Sequence, residues 1–179
     1  ERILKLFTAI CDAVNAAHIK GIIHRDLKPG NIRIDEEGQP HILDFGVAKV
    51  TARDQHDKEN RETANMTVTG QFVGSLPWTS PEQAQGLLDH IDTRTDVYAL
   101  GVILYQMLTG AFPYDVTGPV RDVLNRIVSG EQIRPSTIRK EIDREVEAIV
   151  LKCLRKESQW RYQTAGELAR DIERYLKGE

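Results

Sequence analysis

The chain has 179 residues, with 24 Lys and Arg against 27 Asp and Glu, a formal charge of −3, and is 40% apolar and 28% charged. These are the proportions of an ordinary folded domain, and a chain this long can bury roughly 70% of its unfolded surface around one core. The near-neutral balance excludes the strongly basic footprint of a general nucleic-acid binder, so no nucleic-acid partner is expected.

Taken in chain order, Ile3, Phe7, Ile10, Val14 and Ala17 recur at steps of three and four, which predicts an amphipathic helix of about five turns. Gly21 stands where a left-handed residue closes such a helix. Glu1, Arg2 and Lys5 interleave with core-type residues, which is not the pattern of a signal peptide. The abrupt start on a buried helix predicts a piece of a longer domain. Ile32-Arg33-Ile34 and His41-Ile42-Leu43 flank a turn at Glu36-Glu37-Gly38, which predicts a short hairpin. Residues 51–70 are polar, rich in Thr, Asp and Glu, and lack an apolar period, so a long loop is expected there.

From Asp96 the text turns helical and almost wholly apolar. Val97 to Leu108 is too short to span a bilayer and is broken by Gln106; a helix apolar all round belongs at the centre of a core. Gly110 and Pro113 stop it. Three amphipathic helices follow, marked by Val120, Val123, Leu124 and Ile127, then Val146, Ile149, Val150 and Leu154, then Leu168, Ile172 and Leu176. The last opens on a capping-box pattern, Thr164-Ala165-Gly166-Glu167. Cys11 and Cys153 lie far apart in sequence and suggest neither a disulfide framework nor a zinc site, so a reducing, cytoplasmic setting is expected. The sum is a mainly α lobe of about six helices with one small β-hairpin.

Chemistry concentrates between the first two helices. His24-Arg25-Asp26-Leu27-Lys28-Pro29-Gly30-Asn31 fits H-R-D-L-x-x-x-N at every specified position. Asp44-Phe45-Gly46 follows the hairpin, and Ser80-Pro81-Glu82 stands as a Ser-for-Ala form of A-P-E. Asp26 alone would read as a turn or capping aspartate; three motifs in order give it a catalytic meaning. The sequence resembles the C-terminal lobe of a Hanks-type (bacterial eukaryotic-like) serine/threonine protein kinase over essentially all of its length.

That resemblance implies ATP, Mg²⁺ and protein substrates with Ser or Thr acceptors. It makes Asp26 the group that accepts the substrate hydroxyl proton, with Lys28 as a cation beside the γ-phosphate. Asn31 and Asp44 become hard oxygen ligands for Mg²⁺. Arg25 implies an activation loop switched by phosphorylation, with Thr67 and Thr69 as the foremost carriers ahead of Thr51 and Thr63. Ser75 stands for the threonine that hydrogen-bonds the catalytic Asp and Lys, and Trp78 for a tyrosine. His24, Phe45 and Gly46 imply structural support. Glu82 is expected to pair with Arg161, and Asp96 to hold the catalytic-loop backbone, compatibly with an N-cap. Arg33 occupies the place of an aliphatic residue beneath the adenine ring, where it can stack flat or snorkel to water.

No G-x-G-x-x-G loop or V-A-I-K lysine occurs in these residues, so the resemblance implies an N-terminal lobe preceding Glu1, and an apolar face left for it that favours self-association. The alternative is a pseudokinase-like protein-interaction module, against which intact Asp26, Lys28, Asn31 and Asp44 weigh. The 179 residues alone are expected to show no phosphotransfer above background in an assay with radiolabelled ATP. Robust turnover by them would overturn that expectation.

Overall fold

The computed structural model describes residues 1–45 and 74–179. Among the described residues it is mostly helical, with one two-stranded antiparallel hairpin, as expected. Helix α1 (Arg2–Ile19) runs into a loop and a 3₁₀ turn (Pro29–Asn31), then β1 (Ile32–Ile34) and β2 (Pro40–Ile42). After the described part resumes come a 3₁₀ turn (Leu76–Trp78), α2 (Pro81–Ala84), α3 (Thr93–Thr109), α4 (Val120–Ser129), α5 (Pro135–Ile138), α6 (Arg144–Cys153) and α7 (Ala165–Lys177). Among the described residues there are seven helices, two of which, α2 and α5, are single turns that each start on a proline that presets the helical φ.

Helix α3 is the axis of the core. Val97, Tyr98, Leu100, Val102, Leu104 and Tyr105 are all fully buried, and α1, α5, α6, α7 and the Leu76–Trp78 turn pack around them. Each such aliphatic or aromatic side chain contributes about 1.5–3 kcal/mol when taken fully out of water. Helix α1 lies along α7, with Leu4, Phe7, Ile10, Cys11, Val14 and Ala17 inward. Ile3, expected on that face, is 38% exposed, and Leu4 takes its place. Gly21 and Gly110 both close their helices in the left-handed region, at φ 74°, where a side chain would be strained.

The hairpin pairs Ile32 with Ile42 and Ile34 with Pro40, so β2 begins one residue earlier than the sequence pattern suggests. The capping box of α7 is shared between neighbours. Thr164 Oγ1 accepts from Glu167 N at 3.1 Å, while Glu167 Oε2 accepts from Gln163 N instead of the cap residue. Among the described residues no helix is long and apolar enough to cross a membrane.

Two glycines let helices touch. A Cβ on Gly101 of α3 would stand 2.4 Å from the Cβ of Cys153 on α6, and one on Gly166 would meet the Asn15 amide at 2.8 Å. The Gly101 obstacle is the stem of a buried side chain, so α6 itself would have to move. Gly101→Ala is expected to cost about 1–3 kcal/mol through overpacking, read as a lower thermal midpoint in calorimetry, whereas Gly30→Ala, where a Cβ would meet nothing within 4 Å, should leave the midpoint close to wild type.

Candidate active site

The site is built outward from α3. Asp92 caps that helix, accepting from Arg94 N at 2.8 Å, which releases Asp96 from any capping role. Asp96 sits one turn further in, only 1% exposed, and its carboxylate reaches across to the loop after α1. Oδ2 accepts from His24 N at 2.7 Å and Oδ1 from Arg25 N at 2.8 Å. His18 Nε2 lies 2.9 Å from Oδ2, from a side chain as deeply buried as Asp96 itself. An ionised carboxylate this buried requires several donors, and here three converge on it.

That clasp explains a strained backbone. Arg25 has φ 67° and Asp44 φ 53°, the two non-glycine residues in the left-handed region among the described residues. Such conformations cost about 1–3 kcal/mol and persist only where neighbours dictate them. Arg25 is dictated by the bond from its N–H to Asp96.

Four further contacts tie the Asp26 loop to Leu43, the residue before Asp44. Asp26 N donates to His24 Nδ1 at 3.3 Å; an accepting Nδ1 places the neutral ring's proton on Nε2, which then donates to Leu43 O at 2.8 Å. Asn31 Nδ2 donates to Asp26 O, and Leu43 N donates to Asn31 O, both at 2.8 Å. Leu43 is therefore gripped on both sides, and Asp44 follows it directly. The His24 and Phe45 rings lie 5.0 Å apart, so both serve as support for this junction.

Lys28 bridges the catalytic loop to the segment that follows the undescribed residues. Its Nζ donates to Ser75 Oγ at 2.7 Å and stands 3.5 Å from Asp26 Oδ2. Asp26 and Lys28 are both partly exposed. Asp44 is exposed directly after the gripped Leu43, and Asn31 is buried with its amide nitrogen already used. Asn31 and Asp44 thus offer two hard oxygen donors, which fits Mg²⁺ held by one or two protein groups with phosphate oxygens and water completing its shell. Arg33 is exposed on β1.

In residues 74–82, which the resemblance makes a substrate-facing loop, Glu82 forms the expected buried pair with Arg161. Arg161 uses all five N–H donors: Nη1 and Nη2 reach Glu82 Oε1 and Oε2 at 2.9 and 2.8 Å, and the rest go to the carbonyls of Arg94, Lys156 and Arg155. Thr95 Oγ1 adds a bond to Glu82 Oε1 at 2.8 Å. Trp78 keeps a ring where a tyrosine was implied, set edge-on to Phe112 at 5.5 Å, but its buried Nε1 has no hydrogen-bond partner among the described residues. Gly46, Thr51, Thr63, Thr67 and Thr69 lie outside the described residues.

Two site residues escaped the sequence reading. His18 continues the buried stripe of α1 at four residues beyond Val14, and a buried imidazole needs a partner; that spacing was the available signal. Gln83 donates from Nε2 to Arg25 O at 2.8 Å and accepts from Ser80 N at 3.1 Å. The pattern Ser80-x-x-Gln83 is a capping box, visible in the sequence but overshadowed there by Pro81 and Glu82.

The described lobe thus joins a loop carrying Asp26 and Lys28 through a hairpin to Asp44, with a buried Glu82–Arg161 pair in the turn that follows Ser75. The chain belongs to the protein kinase family: residues 1–171 match the model of the protein kinase domain. It is 38% identical over its whole length to the serine/threonine-protein kinase PknB of Mycobacterium tuberculosis, covering 27% of that protein. It is 37% identical over 96% of its length to a probable serine/threonine-protein kinase of Clostridium acetobutylicum, covering 24% of that protein. A third, a probable serine/threonine-protein kinase of Streptomyces coelicolor, is 37% identical over the whole chain, which covers 25% of it. The chain spans about a quarter of the length of the curated relatives it matches.

Burial pushes the Glu82 carboxyl up, but the Arg161 guanidinium, with help from Thr95, outweighs it and holds the group below the usual carboxylate value of 4.5. A depressed folded-state pKa contributes stability that is present above about 4.5 and lost as the pH falls through the folded value. Denaturant midpoints should therefore fall as the pH is lowered below 4.5, and Glu82→Gln should lack this component of the fall. At neutral pH the same variant strands Arg161 and is expected to lose about 3–5 kcal/mol.

Proposed function

We propose that this chain forms the C-terminal lobe of a serine/threonine protein kinase domain that transfers the γ-phosphate of ATP to Ser or Thr hydroxyls of protein substrates. The observation that carries this is the double grip on Leu43 by Asn31 and His24, which joins the Asp26 loop to Asp44. Ser or Thr acceptors are favoured by Lys28, whose ammonium lies between Asp26 and Ser75, and by the serine/threonine kinases among the relatives.

In this reading Asp26 orients the acceptor hydroxyl and takes its proton as the new oxygen–phosphorus bond forms. The bond from the γ-phosphorus to the bridging oxygen breaks, and ADP leaves with that electron pair. Lys28 presents a compact positive charge where negative charge collects on the transferred group, the term that dominates such reactions. Asn31 and Asp44 would hold Mg²⁺, which when bound neutralises phosphate charge. Asp96 keeps the loop from reorganising during the reaction.

The N-terminal lobe that would cover the phosphates is the first partner of this lobe. Ile19, Ile22, Ile34 and Leu43, all at the end of α1 or on the hairpin, are exposed to 37–78%, which supports an apolar docking face for it. Arg25 supports control by a phosphorylated threonine, Thr67 or Thr69. Arg33 stands where the resemblance implies an aliphatic residue, and in this reading it packs its stem under the nucleotide.

In the full-length protein, Asp26→Asn is expected to lower kcat by about 10²–10⁴-fold with little change in thermal midpoint, measured by Mg²⁺-ATP turnover on a Ser/Thr peptide library. Equal rates would remove Asp26 from the mechanism.

A further inference from the structure

Between the substrate-facing loop and the catalytic loop stands one side chain that the reading above leaves without a task. Gln83, in the single turn of α2, donates from Nε2 to the carbonyl of Arg25 at 2.8 Å, 58 residues away in sequence. Its Oε1 accepts from Ser80 N at 3.1 Å and faces Ser80 Oγ at 3.3 Å. The amide orientation is fixed by its partners, since the reverse would set Oε1 against a carbonyl and the NH₂ group against an N–H.

The Arg25 carbonyl is half of the peptide unit whose other half is the Asp26 N–H. That N–H is held by His24 Nδ1, and the preceding N–H, of Arg25, by Asp96. Gln83 therefore holds the third corner of a backbone segment that carries the left-handed φ of 67° at Arg25. A rotation of this peptide plane would swing the Asp26 carboxylate directly. Gln83 is also anchored from below: its neighbour Glu82 is locked to Arg161, and its own backbone N–H donates to Ser80 Oγ. The link thus runs from the rigid end of the substrate-facing loop to the backbone of the proton acceptor.

We infer that Gln83 is a positioning residue for phosphoryl transfer, acting through the Arg25–Asp26 peptide unit, so that Asp26 is aimed only when the 74–82 segment is seated. It makes no contact with Asp26's carboxylate and would touch neither substrate nor nucleotide. The inference rests on the proposed kinase function, and its test separates the two.

The experiment compares Gln83→Glu, Gln83→Leu and Asp26→Asn in the full-length protein, with kcat, KM for ATP, KM for peptide and thermal midpoint measured for each. Glu is isosteric and keeps an acceptor for Ser80 N, but it cannot donate to the Arg25 carbonyl; Leu loses both bonds. The expected result is a fall in kcat of about tenfold for both variants, the scale of one lost positioning hydrogen bond. Both KM values should stay within twofold, and only Gln83→Leu should show a lowered midpoint. Rates are read at a temperature well below every midpoint, so a kcat deficit there reflects aim and not unfolding. Wild-type kcat in Gln83→Glu, a deficit that vanishes at that temperature, or a rise in KM at unchanged kcat would each overturn the inference. An active Asp26→Asn would instead overturn the kinase reading while leaving the Gln83 geometry as it is.

Discussion

A single buried carboxylate organises the active side of this lobe. Asp96 has been carried into the interior by the most apolar helix of the chain, where water cannot solvate it. It must therefore find donors in the protein, and those it finds are the backbone N–H groups of His24 and Arg25, with His18 beside them. The cost of burying the charge is what makes the arrangement exclusive: any other path of the loop would leave the carboxylate without donors. The course of the loop that bears Asp26 is a by-product of satisfying one charge inside a core.

The Glu82–Arg161 pair performs the same kind of work one layer down. Its attraction is largely offset by desolvation, so its value lies less in net stability than in allowing one seating of the 80–84 turn. Arg161 suits this because its planar fork saturates two carboxylate oxygens and three carbonyls at once, which a lysine could not do. Between them, the two buried carboxylates fix the loop that bears Asp26 and the turn that faces it. Both are anchored to residues near the start of α3, Asp96 itself and Thr95.

Much of this could be read from the letters. The long helices were legible because their apolar residues repeat at the helical period over three or more turns, and the hairpin because Ile32 and Ile34 flank Arg33 in alternation. Asp26, Asn31 and Asp44 were legible because their spacing is a pattern, and Glu82–Arg161 because both ends fall in recognisable places. The single-turn helices were not, since four residues carry no period. His18 and Gln83 were missed for a different reason: each looks ordinary in its own window, and its partner lies 58 to 78 residues away. Ile3 failed because its neighbour Leu4 competes for the same stripe, and only the packing partner α7 decides between them. Asp96 was anticipated as compatible with a cap, but Asp92 occupies that place, four residues earlier.

The two tryptophans give the molecule an optical asymmetry. Trp78 stands three residues from Ser75, its ring against Phe112 and its indole N–H buried with no acceptor among the described residues, while Trp160, directly before Arg161, is 64% exposed. An indole without a hydrogen bond in an apolar niche emits at shorter wavelength than one in water. The two emitters therefore differ in surroundings, the Trp78 indole nitrogen buried three residues from Ser75 and Trp160 open to solvent. Any event that reseats the substrate-facing loop carries its own dye.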